Sequence, residues 1–363
     1  MEHIPEEPVL YMVAGLIAVA VVVLVLPFTV KKIEQNLEPF FLVMGVIAVS
    51  VSGLWSWELG KDALKAPVMI GSLPIGIFQV VLIFGLLLYF FDKPFRNATL
   101  SLRAKLGTKI FLFLFIAVLG LISSVISVIV TACILAEVVA ALPFSKSDKI
   151  KMTVVACFAV GLGAGLTPVG EPLATILVHK LAGPPYNADF FFLLRHFGVY
   201  VIPGVIAIAA FGALYIGRRV SLQAEAADLE YSETLKGSLM RAVKVFIFIA
   251  ALILLGEGLK PLIVWYLDKI SPEGLYWINT ISAVLDNATL TAVEIGPSMV
   301  LSQIISAVMG LLIAGGMLIP GNIPNIVAAG RLKINMKEWA KIGVPMGAVI
   351  MVVYFVVLLF TQF

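Results

Sequence analysis

Long apolar runs separated by short charged stretches set the pattern of this chain. Runs at 9–30, 37–57 and 68–91 are each long enough to span a bilayer core of about 30 Å. The charged segments KKIEQN, ELGKDALKA and DKPFRNATLSLRAKLGTK read as the loops that follow them. The next apolar stretch, 110–144, is too long for one span and too short for two, and no charged turn divides it. Ser123, Ser124, Ser127 and Thr131 interrupt its middle. That predicts a re-entrant hairpin, two short helices meeting at a polar tip inside the membrane. The segment 152–179 is interrupted too. Gly161, Gly163 and Gly165 weaken the helix, Pro168 removes a backbone donor, and Pro172 suits the first turn of a new helix. A break near 167–171 follows. An ordinary span covers 190–217.

The polar loop 218–238 divides a first half, 1–217, from a second, 239–363. The second half repeats the irregular part: a span at 241–259, a hairpin candidate at 272–297, a broken helix at 299–330 and a last span at 342–360. Pro320, Gly321 and Pro324 mark its broken helix. Ser124 and Thr131 lie seven residues apart, as do Ser282 and Thr289, which would put each hydroxyl pair on one helix face. Interrupted helices at matching places in two halves predict a transporter with its site at the repeat interface. The repeat is partial, because three spans precede the first hairpin and one follows the central loop.

Charge placement bears on the topology. With hairpins that do not cross, 19 of the 25 Lys and Arg residues collect on the cytoplasmic side, Arg331 among them. Crossing hairpins would move the basic segments 144–151 and 218–244 outside, against the positive-inside rule. The fold expected is therefore an all-α polytopic membrane protein of about eight spans. It would be an inverted repeat of two hairpins and two broken helices, with both termini outside. No cleaved signal is expected, because MEHIPEEPVL carries acids where a signal peptide would be basic.

Composition agrees. Hydrophobic residues make up 61% of the chain and charged residues 13%, with a mean hydropathy of +1.08. A soluble domain carries about 25% charged residues. The partners expected are the lipid bilayer and small inorganic ions, not nucleic acid. Cys133 and Cys157 lie in apolar runs and read as small buried residues. Trp55, Trp57, Trp265, Trp277 and Trp339 fall near span ends, as interfacial anchors do.

Four intramembrane acids remain: Glu137, Glu171, Asp286 and Glu294. A carboxylate at membrane depth costs roughly 2.5–3.5 kcal/mol on insertion scales, which makes each a functional candidate. Glu171 falls in the first break and Asp286 at the second hairpin tip. Val128 and Asn322 take the corresponding places in the other half. Glu137 and Glu294, nearer the hairpin ends, read equally well as solvated or snorkelling groups. A carboxylate in low dielectric can hold a proton or help hold a cation, but not both at once, which is what exchange requires. Oxygen donors suited to a hard cation such as Na⁺ come from Ser282, Asn287 and Thr289, with Ser127 and Thr131. Thr167, Asn322 and Asn325 complete the set. For any single Ser or Thr, a bond back to its own helix is the competing account.

The stretches SAVLDNATLTA and GAGLTPVGEPLAT resemble motifs of NhaD-type sodium/proton antiporters in the ion transporter superfamily. Ser282, Asp286, Asn287 and Thr289 match that family's hairpin pattern. Thr167, Pro168, Gly170 and Glu171 match its Ser-Pro-x-Gly-Asp break. The whole is also similar to a prokaryotic family of proposed cation transporters. The resemblance covers roughly a third of the chain. Two departures stand out: Ser127–Val128 where relatives carry an acid and amide, and a second half short of helices. It implies a Na⁺/H⁺ antiporter, with Li⁺ as a further cargo, no cofactor and the family's dimeric assembly, in a prokaryotic cytoplasmic membrane. Two other classes compete. Na⁺-coupled uptake of a carboxylate or other anion would use the half-helix N-termini after Pro172 and Pro324. An intramembrane enzyme is disfavoured, because no HExxH, GxGD or GxSG motif occurs.

Overall fold

The computed structural model describes residues 4–5, 7–34, 36–69, 76–217, 235–266, 270–285 and 287–362, and no strand occurs among them. Helix α1 (Leu10–Thr29) leads through the single turn α2 (Lys31–Glu34) to α3 (Leu37–Ser52). Gly53 stops α3 at φ +70°, a left-handed conformation that glycine adopts without strain. The segment expected as the loop ELGKDALKA is instead helix α4 (Trp57–Lys65). Ser56 caps it, accepting from Leu59 N at 3.0 Å, and Leu59 and Ala63 are buried four residues apart on one face.

Helix α5 (Ile77–Leu106) begins later than the apolar run and continues far beyond it. Residues 92–106, expected as a loop, are helical after a kink at Phe91 (φ −119°, ψ 17°). Pro94 lies in the first turn past that kink, where its missing N–H costs least. Charge suggested a loop; Leu, Arg, Ala and Lys are all strong helix formers.

Four helices follow: α6 (Thr108–Ile126), α7 (Val128–Ala141), α8 (Lys146–Ala164) and α9 (Pro172–Lys180). The longer α10 (Phe192–Tyr215) and α11 (Leu235–Tyr266) come next. Then come α12 (Pro272–Ile278), a 3-10 turn at Asn279–Ala283, and α13 (Asn287–Glu294). The chain closes with α14 (Leu301–Ala314), α15 (Ile323–Leu332) and α16 (Met336–Thr361).

Among the described residues, α1, α6, α10, α11 and α16 are long and apolar enough to cross a membrane, and α3, α7 and α14 are shorter apolar helices. Leu10, Val199, Val349 and Phe360 are among many large apolar side chains left exposed. Such an outer surface suits lipid, where satisfied helical backbone and apolar side chains are both at rest. The first interrupted stretch differs from its expected form. At 19 residues, α6 is about 28 Å long, a spanning length rather than a short arm, and one residue, Ser127, separates it from α7.

Helix α11 lies along α3 and touches α5; α6 packs on α8 and α10; α12 packs on α14. Two further contacts join distant parts of the chain, α7 on α15 and α9 on α13. Glycine sets how closely some of these pairs approach, as in membrane helix packing generally. A Cβ on Gly163 would sit 1.8 Å from Gly120 O, so α6 and α8 touch backbone to backbone.

Candidate functional site

The buried polar groups gather where helices are interrupted. In the first interruption α8 ends at Ala164 and α9 starts at Pro172, so the break falls over 165–171, as its glycines and prolines dictate. Gly170 is required there, since a Cβ would lie 2.0 Å from Ala164 O. The joint between α6 and α7 is stitched to this break. Thr167 Oγ1 donates to Ser124 O, and Val128 N donates to Gly170 O at 2.8 Å. Pro168 and Gly170 thus hold a non-helical path in which the Thr167 hydroxyl and the Gly170 carbonyl serve the neighbouring joint. Glu171, in extended conformation (φ −151°, ψ 160°) and 3% exposed, occupies the N-cap position of α9.

Ser127 caps α7 from a left-handed backbone (φ +75°, ψ 140°), its Oγ accepting from Ile129 N at 3.3 Å. A non-glycine residue at such a φ is held by its surroundings at a cost of about 1–3 kcal/mol. Thr131 Oγ1 donates to Ser127 O at 2.8 Å, a bond back along its own helix.

The second break runs from Gly315 to Asn322, with Pro320 and Gly321 in its short 3-10 turn and Pro324 in the first turn of α15. Asn325 spans it: its buried Nδ2 donates to Gly315 O and Leu318 O, each at 2.8 Å, which leaves its Oδ1 without a partner. Asn322 caps α15 through Ile323 N at 2.8 Å. Trp339, expected as an interfacial anchor, is fully buried, and its indole N–H donates to Gly316 O at 3.1 Å. Its position at the start of α16 resembles a span end, yet the tertiary fold turns it inward onto the break.

In the remaining interruption Ser282 Oγ donates to Leu311 O at 3.1 Å. Asn287 begins α13, buried, with its Nδ2 unpartnered. Thr291 Oγ1 returns to Asn287 O at 2.8 Å. Thr289 lies on α13, and Asp286 falls outside the described residues. The second break meets α8 one turn before the first: a Cβ on Gly161 would lie 2.6 Å from Asn322 Nδ2. The expected hydroxyl faces do not form. Ser124 is on α6 and Thr131 on α7, while Ser282 is in the 3-10 turn and Thr289 on α13. A seven-residue spacing aligns side chains only within one continuous helix, and both pairs straddle an interruption.

Two residues placed at water-facing ends by their charge are internal. Arg331 of α15 forks onto Glu137 of α7, Nε to Oε1 and Nη2 to Oε2 at 2.8 Å, with side chains only 5% and 7% exposed. Glu137 is therefore paired rather than snorkelling, and Arg331 is not a loop residue. The pair also sets direction. Arg331 is the ninth residue of α15 and Glu137 the tenth of α7. At the other end Asn322 lies against Gly161 of α8 and Ser123, one turn before Ser127, bonds to the adjacent Val160 O, so the two helices run side by side in the same sense.

Asn279, buried in the 3-10 turn, was not singled out by sequence either. Its amide donates to Glu294 Oε2 at 2.9 Å and to Ala307 O at 3.0 Å. An asparagine in an apolar run is the only signal it carries.

Among the described residues, five helices of spanning length and apolar character, together with a set of buried polar side chains, define an all-α, membrane-embedded protein. Residues 13–361 match the model of a family described as "Protein of unknown function (DUF1646)", and the chain belongs to that family. No curated protein matches it.

Proposed function

We propose that the protein is a secondary active cation transporter, a Na⁺/H⁺ antiporter in which Asp286 and Glu171 exchange a proton for the cation. The observation that carries this reading is the meeting of helix N-termini at buried polar residues. Helices α7, α9, α13 and α15 begin at Ser127, Glu171, Asn287 and Asn322, and they pack in two cross-chain pairs, α7 with α15 and α9 with α13. Two interrupted segments per half, each lending an arm to the other half, are what an inverted repeat would produce.

Matching hydrogen bonds support that repeat. Ser123 Oγ reaches Val160 O of α8 at 3.0 Å, as Ser282 Oγ reaches Leu311 O of α14. Thr131 bonds back to Ser127 O as Thr291 does to Asn287 O. These matches pair Ser127 with Asn287, which moves Val128 off the place opposite Asp286, and Glu171 with Asn322, so the acids are not duplicated between halves. One Glu171 carboxylate at the N-terminus of α9, whose dipole partly balances its charge, and Asp286, next in sequence to Asn287, would then compete for proton and Na⁺. Oxygens of Ser282, Asn287, Asn325 and Thr289 would supply ligands for the cation as cargo. A prokaryotic cytoplasmic membrane is the location this reading calls for.

The anion-coupled alternative has one observation in its favour: the helix N-termini carry partial positive charge. Proteoliposomes with an internal pH probe separate the readings. Na⁺ or Li⁺ alone should drive proton flux in wild type and not in Asp286→Asn or Glu171→Gln. Undiminished flux in Asp286→Asn refutes the mechanism. Sodium uptake that requires an added carboxylate and moves no protons would establish the symport reading instead.

A further inference from the structure

Asn279 is fully buried, and its amide nitrogen serves two acceptors, Glu294 Oε2 at 2.9 Å and Ala307 O at 3.0 Å. A backbone carbonyl only accepts, so the orientation of the amide is settled: turning it over would set oxygen against oxygen. That orientation leaves two buried acceptors, Asn279 Oδ1 and Glu294 Oε1, with no hydrogen-bond partner. The hydrogen bond from Asn279 is the one Glu294 makes among the described residues. Gly310 lets this cluster close, since a Cβ there would meet Tyr276 O at 2.6 Å and Asn279 Cβ at 3.1 Å.

The geometry points to a proton-binding site at Glu294, with Asn279 as its fixed partner. A carboxyl hydroxyl on Oε1 supplies the donor that the amide oxygen lacks, so one proton removes both unsatisfied groups. Each buried polar group left unpaired is costly, and an ionised acid here would leave two. A metal ion fits poorly, because hard cations take about six or more oxygens and only two lack partners here. Charged groups do not fill the gap. The 3-10 turn and α14 carry none; α9 brings His179 and Lys180, and α11 brings Glu257 and Lys260 at this end. Lys260 bonds to Glu257 at 2.9 Å, and the bond that reaches Glu294 comes from the neutral Asn279. Seven residues along α13 put Glu294 about 10 Å from Asn287. The site lies between the end of the bundle where α12 starts and the polar interruption. It stands on local geometry and does not require the antiport reading. If that reading holds, Glu294 is a stop on the proton's route to Asp286.

Infrared difference spectroscopy of the full-length protein in lipid, with ¹³C-labelled glutamate, tests it without a transport assay. Wild type at neutral pH should show a protonated glutamic carboxyl band that Glu294→Gln abolishes. The glutamine keeps both bonds, since its amide donates to Asn279 Oδ1 and accepts from Nδ2. Asn279→Ser should shift the same band, which covers the case in which Glu294→Gln fails to fold. A spectrum unchanged in both variants, or a carboxylate signature at Glu294 throughout, overturns the proposal. The band without Na⁺-driven proton flux would keep this site and remove the antiport reading; flux without the band would do the reverse.

Discussion

Breaking the Glu137–Arg331 pair is the most direct test of how the two parts of the chain are held together. Its members are 194 residues apart, doubly hydrogen-bonded and nearly sealed from solvent. Arg331→Met leaves a carboxylate buried among apolar side chains of α7 and α15; Glu137→Met leaves a guanidinium in the same place. Removing one member of such a pair costs about 3–5 kcal/mol, most of it the desolvation of the charge left behind. Removing both eliminates that penalty, so Glu137→Met/Arg331→Met should lie within about 1 kcal/mol of wild type or above it. The two single losses together should therefore exceed that of the double variant by several kcal/mol. Unfolding in detergent, monitored by tryptophan fluorescence for all four proteins, measures this coupling. Losses that add to within about 0.5 kcal/mol would mean that the residues do not interact, and the parallel packing of α7 on α15 would lose its main support.

Ser127→Gly should stabilise the protein by roughly 1 kcal/mol by relieving the left-handed backbone at φ +75°, less what the lost cap on Ile129 gives back, while Ser127→Val should destabilise it; thermal unfolding decides. Gly163→Ala should cost about 1–3 kcal/mol or more, because its Cβ would fall 1.8 Å from a backbone oxygen of α6 that cannot move alone. The Arg195 guanidinium, in the first turn of α10, bonds at 2.6 Å to Asp189 in the loop before it and holds that carboxyl below its ordinary value of 3.8. A depressed carboxyl stabilises above its unfolded value and loses the effect as pH falls through the folded one. Any stability difference between wild type and Asp189→Asn should thus be flat above about pH 5 and vanish in stronger acid.

The class of this protein and the places where its helices break are determined by the sequence alone. An apolar fraction of 61% excludes a water-soluble core, and glycines clustered with Pro168 and Pro320 end helices that Pro172 and Pro324 then restart, whereas an isolated Pro203 or Pro345 stays inside a continuous helix. Glu171 and the Asn322–Asn325 pair were legible for the same reason: polar residues beside breaks in an apolar run. Helix α4 and the far part of α5 were obscured because their charges resemble loop composition while their burial is periodic. What only the tertiary structure decided are the relations between segments. A seven-residue spacing could not reveal that Ser127 parts Ser124 from Thr131. The charge of Arg331 pointed to water, but Glu137, far away in sequence, makes the interior tolerable for it. Trp339 turns inward because Gly316 O, exposed by a break, needs a donor. Asn279 and Glu294 gain meaning only once Ala307 O fixes the amide and two buried oxygens are left without a donor. Local chemistry sets where the chain bends; long-range pairing sets which buried polar group meets which.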